Sequence, residues 1–225
     1  MTSRPLDLIL VSTPIGVLGS GRGGGVELTL SSLLKGLLDR GHRLRLIAAE
    51  GSQLPPGCDA AELLTAEGED QPSWQHLDGE SPVLIPRGGL LPRFLDIAFE
   101  VGARADAVIN FGYDWLPLWI TPHVPHRLFH LISMGAVAEV MRDQIEALAA
   151  WDQHRLAFHT ARQAADFSLP DPPRVWATAS IWPVIDSAKS LAGHWAGPVA
   201  WHRRKGWRMP LPQRRPWESS CWCGG

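Results

Sequence analysis

Apolar runs and helical repeats alternate along the first 180 residues of the chain. The continuous run at 7–13, "DLILVST", is typical of a strand that is covered on both faces. After a glycine-rich loop, leucines recur at helical spacing over 30–38. Gly41 follows at the position where a residue in the left-handed backbone conformation commonly ends a helix. With a second strand predicted at 44–50, the pattern indicates a parallel βαβ unit.

The alternation continues after this unit, beyond a Pro- and Gly-rich connection at 51–89. The predicted elements are a helix at 90–103, a strand at 106–112, a short helical segment at 113–120, a strand at 127–133, a helix at 136–151 and two short strands at 155–160 and 173–179. Alternating strands and helices imply the α/β class with a parallel sheet. We therefore predict a Rossmann-like, doubly wound domain over residues 1–180.

Charge, cysteine content and hydropathy exclude several classes of protein. The 225 residues carry 21 Lys and Arg against 23 Asp and Glu, a net charge of -2, so nothing favours nucleic acid or an anionic membrane as a partner. No apolar run approaches the roughly 20 residues that span a bilayer. The odd set of Cys58, Cys221 and Cys223 favours a reducing, cytoplasmic setting. The histidines are scattered, so no metal site is expected.

The chain changes character from Trp182 onward. Six of the 11 tryptophans fall in the last 44 residues, among Arg, Pro, Cys and Gly, with neither helical nor strand periodicity. Read two bases later, codons for 205–225 can encode an acidic-capped helix followed by a buried strand. We hypothesise that the reading frame is lost between about residues 177 and 195, so that 181–225 is a missense tail in place of a second domain. A natural, aromatic-rich interaction tail is the alternative.

Five glycines are concentrated between Gly19 and Gly25, where the first strand leads into the first helix. Open α/β sheets bind ligands at this position, and backbone N–H groups at a helix N-terminus favour phosphate. No lysine directly follows the glycines, which argues against a P-loop. A dinucleotide fingerprint is formally present as Gly19, Gly21 and Gly24, with Glu50 as a ribose-binding acid, although "PIGVL" separates it from the strand.

The loop and its surroundings also resemble a known family. The stretch "STPIGVLGSGRGGGVELTLSSLLKGLLDRGHRLRLIAAEGS" is similar to the start of retaining glycosyltransferases of the GT-B fold in family four, in which a Gly-Gly-x-Glu element opens the first helix. With "NFGYDWLPLW", "FHLISMG" and "LAFHTARQAADFSLPDP", the similarity extends over most of 6–178 and is closer to the UDP-glucose:tetrahydrobiopterin glucosyltransferases. The resemblance implies the N-terminal, acceptor-side half of a GT-B fold, with UDP-glucose as donor substrate, a pterin-like acceptor and no separate cofactor.

The resemblance also implies roles for individual residues. Gly23, Gly24 and Gly25 would lie against the acceptor or the sugar diphosphate, and Glu27 would lie in the first helical turn beside them. Glycines that only relieve a tight turn, and a glutamate that only complements the helix dipole, are the alternatives.

Polar side chains collect at the carboxyl ends of the predicted strands, where the cleft is expected. They are Ser12, Thr13, Asn110, Tyr113, Asp114, Ser133, His159 and Thr160. Asp114 is the catalytic candidate because a carboxylate can orient or deprotonate an acceptor hydroxyl, although an Asp here can simply cap a helix. Tyr113 can stack on a pterin, and Ser133 and Met134 complete the predicted substrate-binding set. His130, inside a strand, is interpreted as a core histidine.

Other functions remain open at this point. The family holds its donor with a basic pair and two glutamates of the second domain, and the sequence has neither, so we expect no catalysis by this chain alone. A dinucleotide-binding domain of an NAD(P)-dependent oxidoreductase is one alternative. A non-catalytic remnant that binds a small molecule, or a partner chain through the tail, is another. Nothing in the sequence indicates an oligomeric state.

Overall fold

A computed structural model describes residues 4–74 and 84–176. The elements are β1 (Asp7–Val11), α1 (Gly25–Leu38), β2 (Arg43–Ala49), β3 (Glu62–Ala66), α2 (Leu90–Gly102), β4 (Ala107–Asn110), α3 (Trp115–Ile120), β5 (Leu128–Ile132), α4 (Glu139–Asp152), β6 (Leu156–Phe158) and α5 (Ala161–Ala164), with 3-10 turns at Thr121–His123 and Gln153–Arg155. The predicted boundary at residue 180 and the predicted tail at 181–225 lie outside the described residues. None of the described helices has the length and apolar character that crossing a membrane requires.

The strands form one parallel sheet in the order β3-β2-β1-β4-β5-β6. In the centre of this sheet, Leu10 of β1 lies between Leu46 of β2 and Ile109 of β4. The chain builds outward from β1 first in one direction and then, beginning with β4, in the other. The carboxyl ends of β1 and β4 therefore mark the topological switch point, where open α/β sheets leave a crevice for ligands.

Both faces of the sheet are covered by helices. Leu8 and Leu10 of β1 belong to the same buried cluster as Leu34 of α1, whereas Ile9 and Val11 belong to the cluster built around α2. Successive side chains of a strand point to opposite faces, so this alternation places α1 and α2 on opposite sides of the sheet. The doubly wound, Rossmann-like α/β fold is confirmed.

Two features differ from the sequence-based expectations. β3 lies within the stretch predicted to be a connection; it pairs only with β2, and Leu63 and Leu64 remain half-exposed, so it lacks the continuous apolar run that marks the central strands. The strand predicted at 173–179 is reduced, as far as the described chain extends, to a single parallel bridge between Phe158 and Val175. By contrast, Gly41 has the predicted left-handed conformation after α1, with φ 78°.

Candidate functional site

A cavity of about 170 Å³ opens at the carboxyl edge of the sheet. Its wall is formed by the loops that follow β1, β4, β5 and β6, together with residues 71–74 from the connection after β3. This is the switch-point crevice that the fold predicts.

Most of the predicted substrate-binding residues line this cavity. They are Gly23, Gly25, Tyr113, Ser133 and Met134. Gly24 and Glu27 instead line a separate depression next to the first loop. The predicted substrate-binding roles of all these residues stay predictions, but the fold brings the larger group together from three separate loops.

The Glu27 carboxylate is engaged by the backbone of the glycine-rich loop. Its Oε1 accepts a hydrogen bond from Gly23 N at 2.7 Å, and its Oε2 accepts from Gly19 N at 2.9 Å and Gly21 N at 3.3 Å. The N-cap residue of α1, Gly24, has no side chain that could accept a hydrogen bond. The carboxylate at this end of the helix is that of Glu27, in the first turn, and the loop encloses it. Donors that the sequence suggested for a phosphate are therefore bonded to the chain's own anion.

Glycine is required at specific points of this loop. Gly19 and Gly21 have φ 94° and 79°, a region that other residues rarely adopt. A Cβ at Gly23 would lie 2.7 Å from Cγ of Glu27 and 3.1 Å from Oγ1 of Thr13. The glycines thus allow the loop to close tightly around the Glu27 carboxylate.

Asp114 is buried next to the cavity. It is 1% exposed and caps α3, with Oδ1 accepting from Leu116 N at 3.4 Å and Oδ2 accepting from Trp74 Nε1 at 3.3 Å. Burial raises the pKa of this carboxyl, and hydrogen bonds from Trp74, the backbone and Gln71 partly offset the increase. Among the described residues that line the cavity are its neighbours Tyr113 and Trp74, but not Asp114 itself. The capping alternative is observed, and the catalytic role stays a prediction.

Tyr113 is held by a hydrogen bond from its hydroxyl, and Ser133 is held by a hydrogen bond to its backbone carbonyl. The Tyr113 hydroxyl donates to Gly135 O at 2.6 Å, and burial raises the pKa of this phenol above its usual value. The Ser133 carbonyl accepts from Gln163 Nε2 at 2.5 Å, and the same Gln163 forms a capping box with Thr160 at the start of α5. Tyr113 thus lines the cavity with its hydroxyl already bonded.

The sequence analysis did not predict that the segment with Gln71 and Trp74 contributes to the site. It crosses to the first loop, where Gln71 N donates to Pro14 O at 2.7 Å and Asp70 forms an ion pair with Arg22. These contacts bring Trp74, which is 6% exposed, into the cavity wall. A tryptophan in a polar connection was the one available signal, since such a side chain is seldom left in water.

The cavity has little net charge. Arg22 is the one Lys, Arg, Asp or Glu among the described lining residues, and it is paired with Asp70. His159 also lines the cavity and stacks on Trp176 with ring centroids 5.0 Å apart. Within the described ranges, no cluster of three or more His, Cys, Asp or Glu could hold a metal ion. The arrangement suits an uncharged ligand with flat apolar faces.

His130 is a core residue, as predicted. Its Nδ1 lies 3.2 Å from Asn110 Nδ2 and its Nε2 lies 2.8 Å from Thr121 Oγ1. Asn110 Nδ2 can only donate, so Nδ1 accepts and the proton is on Nε2. Burial, with a contribution from the Arg155 charge, lowers the pKa of His130 to about 3. His130 thereby supports Asn110, whose side chain hydrogen bonds to Gly112, the residue between Phe111 and Tyr113 of the cavity wall.

The residues of the dinucleotide fingerprint do not have the arrangement that a dinucleotide site requires. The Glu50 carboxylate accepts a hydrogen bond from Thr65 Oγ1 at 2.5 Å. Residues 12–24 separate β1 from α1, so Gly19 does not follow the strand directly.

In comparisons with known proteins, no protein-family model matches the chain and no curated protein sequence matches it.

Proposed function

We propose that this chain contains the acceptor-binding lobe of a glycosyltransferase of the GT-B type, which binds a flat, uncharged heterocycle of the pterin kind and uses UDP-glucose as donor. The observation that carries the proposal is the cavity at the carboxyl edge of the sheet. Its described lining combines aromatic side chains with little charge. The resemblance of residues 6–178 to the pterin glucosyltransferases points to the same ligand.

Aromatic side chains support the choice of a flat ligand. Trp74, Tyr113 and Phe111 all line the cavity, and stacked aromatic pairs contribute roughly 0.5–1.5 kcal/mol beyond the area that they bury. Met134 adds a polarizable thioether to the same wall. A ring that enters between these groups would be held by its faces, with its polar edges left for hydrogen bonds.

Electrostatics support an acceptor rather than a diphosphate in this cavity. Three N–H groups of the loop are bonded to Glu27, of which that of Gly23 belongs to this cavity, and Arg22 is paired with Asp70. A diphosphate needs free cations or N–H donors.

In the proposed reaction, an acceptor hydroxyl attacks C1 of glucose with retention, the bond from C1 to the UDP oxygen breaks, and the hydroxyl proton is released. We assign donor binding to a second domain. Asp114 is 1% exposed and is not among the described lining residues, so it would orient or deprotonate the hydroxyl only after the cavity wall opened toward it.

A second candidate is the dinucleotide-binding domain of an oxidoreductase. The strand order β3-β2-β1-β4-β5-β6 favours it, because this order is typical of such domains. Against it, the N–H groups of Gly19 and Gly23 and the carboxylate of Glu50 already have partners within the chain.

Calorimetric titration of the purified chain with tetrahydrobiopterin, kept anaerobic, tests the first candidate against the second. We expect saturable binding that Trp74→Ala weakens about tenfold through lost stacking and apolar contact. Trp119→Ala is the matched control, since Trp119 is 50% exposed and does not line the cavity. Fluorescence enhancement with NADH, together with no heat from the pterin, would instead support the oxidoreductase.

A further inference from the structure

Two neighbouring strands bring a serine and a histidine side by side at the cavity. Ser133 directly follows β5 and His159 directly follows β6, and both residues line the cavity. His159 N donates to Ile132 O at 2.9 Å, which continues the parallel pairing in which Ile132 lies opposite Phe158. Ser133 and His159 are therefore the next pair in this register.

The side chains of this pair lie on the face of the sheet that α1 covers. Leu131 and Ala157, two residues earlier in the two strands, belong to the buried cluster that includes Leu34 of α1. Side chains two positions apart in an extended chain share a face, so Ser133 and His159 lie on this face as well. The glycine-rich loop that precedes α1 forms part of the cavity wall, so the pair and the loop border the same cavity.

Both side chains carry polar groups that are free within the described residues. The Ser133 carbonyl accepts from Gln163 Nε2, but the Ser133 hydroxyl has no partner there. The His159 ring is held by stacking on Trp176, with the two ring planes 26° apart, and its nitrogens have no hydrogen-bond partner there. Both residues are half-buried, and their polar atoms are not among the enclosed atoms that lack a partner, so these groups are open to solvent. Stacking thus fixes the plane of the imidazole and leaves its nitrogens for a ligand.

We propose that Ser133 and His159 form the specificity-determining edge of the cavity, which recognises a hydroxyl group on the side chain of the bound heterocycle. This inference rests on the proposed acceptor site. An alcohol both donates and accepts hydrogen bonds. An imidazole in its neutral form has one acceptor nitrogen and one donor nitrogen, and a serine hydroxyl can do either, so the pair can satisfy both roles of the alcohol.

Calorimetric titration under anaerobic conditions compares tetrahydrobiopterin with 6-methyltetrahydropterin, which lacks the hydroxylated side chain. The wild-type chain is expected to bind tetrahydrobiopterin about tenfold more tightly, because a site with hydrogen-bonding groups for a hydroxyl discriminates against a ligand without one. His159→Phe keeps a flat ring that can stack on Trp176 but has no ring nitrogen, and it should lose most of this preference. Ser133→Ala should reduce the preference as well.

His123→Phe is the matched control. His123 also packs on a tryptophan, Trp119, with ring centroids 5.0 Å apart, but it is exposed and does not line the cavity. This variant should keep the preference of the wild type.

A second measurement does not depend on the folding of any variant. In long-range proton–nitrogen NMR spectra of the wild-type chain, assigned through the backbone, the ring nitrogen signals of His159 should shift with tetrahydrobiopterin and much less with 6-methyltetrahydropterin. Those of His123 should not shift with either ligand.

The possible results separate the two proposals. If the wild-type chain, cooperatively folded, binds neither pterin, the proposed function fails and this inference with it. If it binds both equally, if His159→Phe keeps the preference, or if the His159 signals do not distinguish the two ligands, only the inference is overturned. A preference that Ser133→Ala retains in full overturns the role of Ser133.

Discussion

The bonding of Glu27 to its own loop leads to a sharp prediction about stability. Glu27→Ala removes the carboxylate that accepts from Gly23 N at 2.7 Å, from Gly19 N at 2.9 Å and from Gly21 N at 3.3 Å. We expect the free energy of unfolding to fall because the loop then has no anion to close around. Glu139 provides a matched control, since it also lies in the first turn of a helix.

The size of the effect follows from the environment of each donor. A hydrogen bond to a charged group contributes about 1.5–3 kcal/mol when it is shielded. Gly19 and Gly21 are exposed, so water replaces most of their lost bonds, whereas Gly23 is half-buried. We therefore expect a total loss of about 2–3 kcal/mol. Glu139 is exposed, and its side chain has no hydrogen bond or ion pair within the described residues, so Glu139→Ala should remove only the dipole contribution of about 0.3–1 kcal/mol.

Urea unfolding followed by far-UV circular dichroism measures both losses, provided that the m-value is unchanged. Hydrogen exchange locates the effect, because protection of the amides of Gly19, Gly21 and Gly23 should fall in Glu27→Ala and persist in Glu139→Ala. Equal destabilisation by the two variants, with loop protection intact, would refute the reasoning.

Two further predictions concern Gly23 and His130. Gly23→Ala places a Cβ 2.7 Å from Glu27 Cγ, and we expect it to lower the free energy of unfolding in urea by about 1–3 kcal/mol. Gly25→Ala is the control, because its Cβ would have nothing within 4 Å, and it should leave stability unchanged or slightly increased. Equal effects of the two substitutions would contradict the clash. Because burial lowers the pKa of His130 to about 3 from 6.5, below pH 6.5 the unfolded chain binds a proton that the native state does not. Stability should fall by about 1.4 kcal/mol per pH unit from pH 6.5 toward pH 3, roughly 2 kcal/mol by pH 5. His130→Gln should remove this part of the pH dependence and His123→Gln, at an exposed position, should not; an unchanged pH slope in His130→Gln would contradict the assignment.

The central elements of the sheet were predictable because they are covered on both faces. β1, β4 and β5 appear in the sequence as short continuous apolar runs, and all their residues except Asp7 are buried. The structure shifts their ends by only a few residues. β3 at the edge has one partner strand and half-exposed leucines, so its five residues do not stand out among prolines and glycines.

The candidate site was predictable in position and less so in composition. Strand ends point to the crevice, and Tyr113, Ser133 and Met134 line it as expected. Gln71 and Trp74 could not be found in this way, because they come from a connection without periodicity. Their placement depends on contacts made across the fold, such as the bond from Gln71 N to Pro14 O.

The sequence by itself determined the alternation of strands and helices, the parallel sheet and the edge at which a ligand would bind, because these follow from local periodicity and chain connectivity. Only the tertiary structure decided which groups are free to bind. Glu27 accepts hydrogen bonds from three N–H groups of the glycine loop, while Gln71 donates to Leu84 O and keeps a buried acceptor without a partner in the described chain. Hydrogen bonds are exclusive and directional, so their allocation depends on residues that folding brings together and cannot be inferred from spacing along the chain.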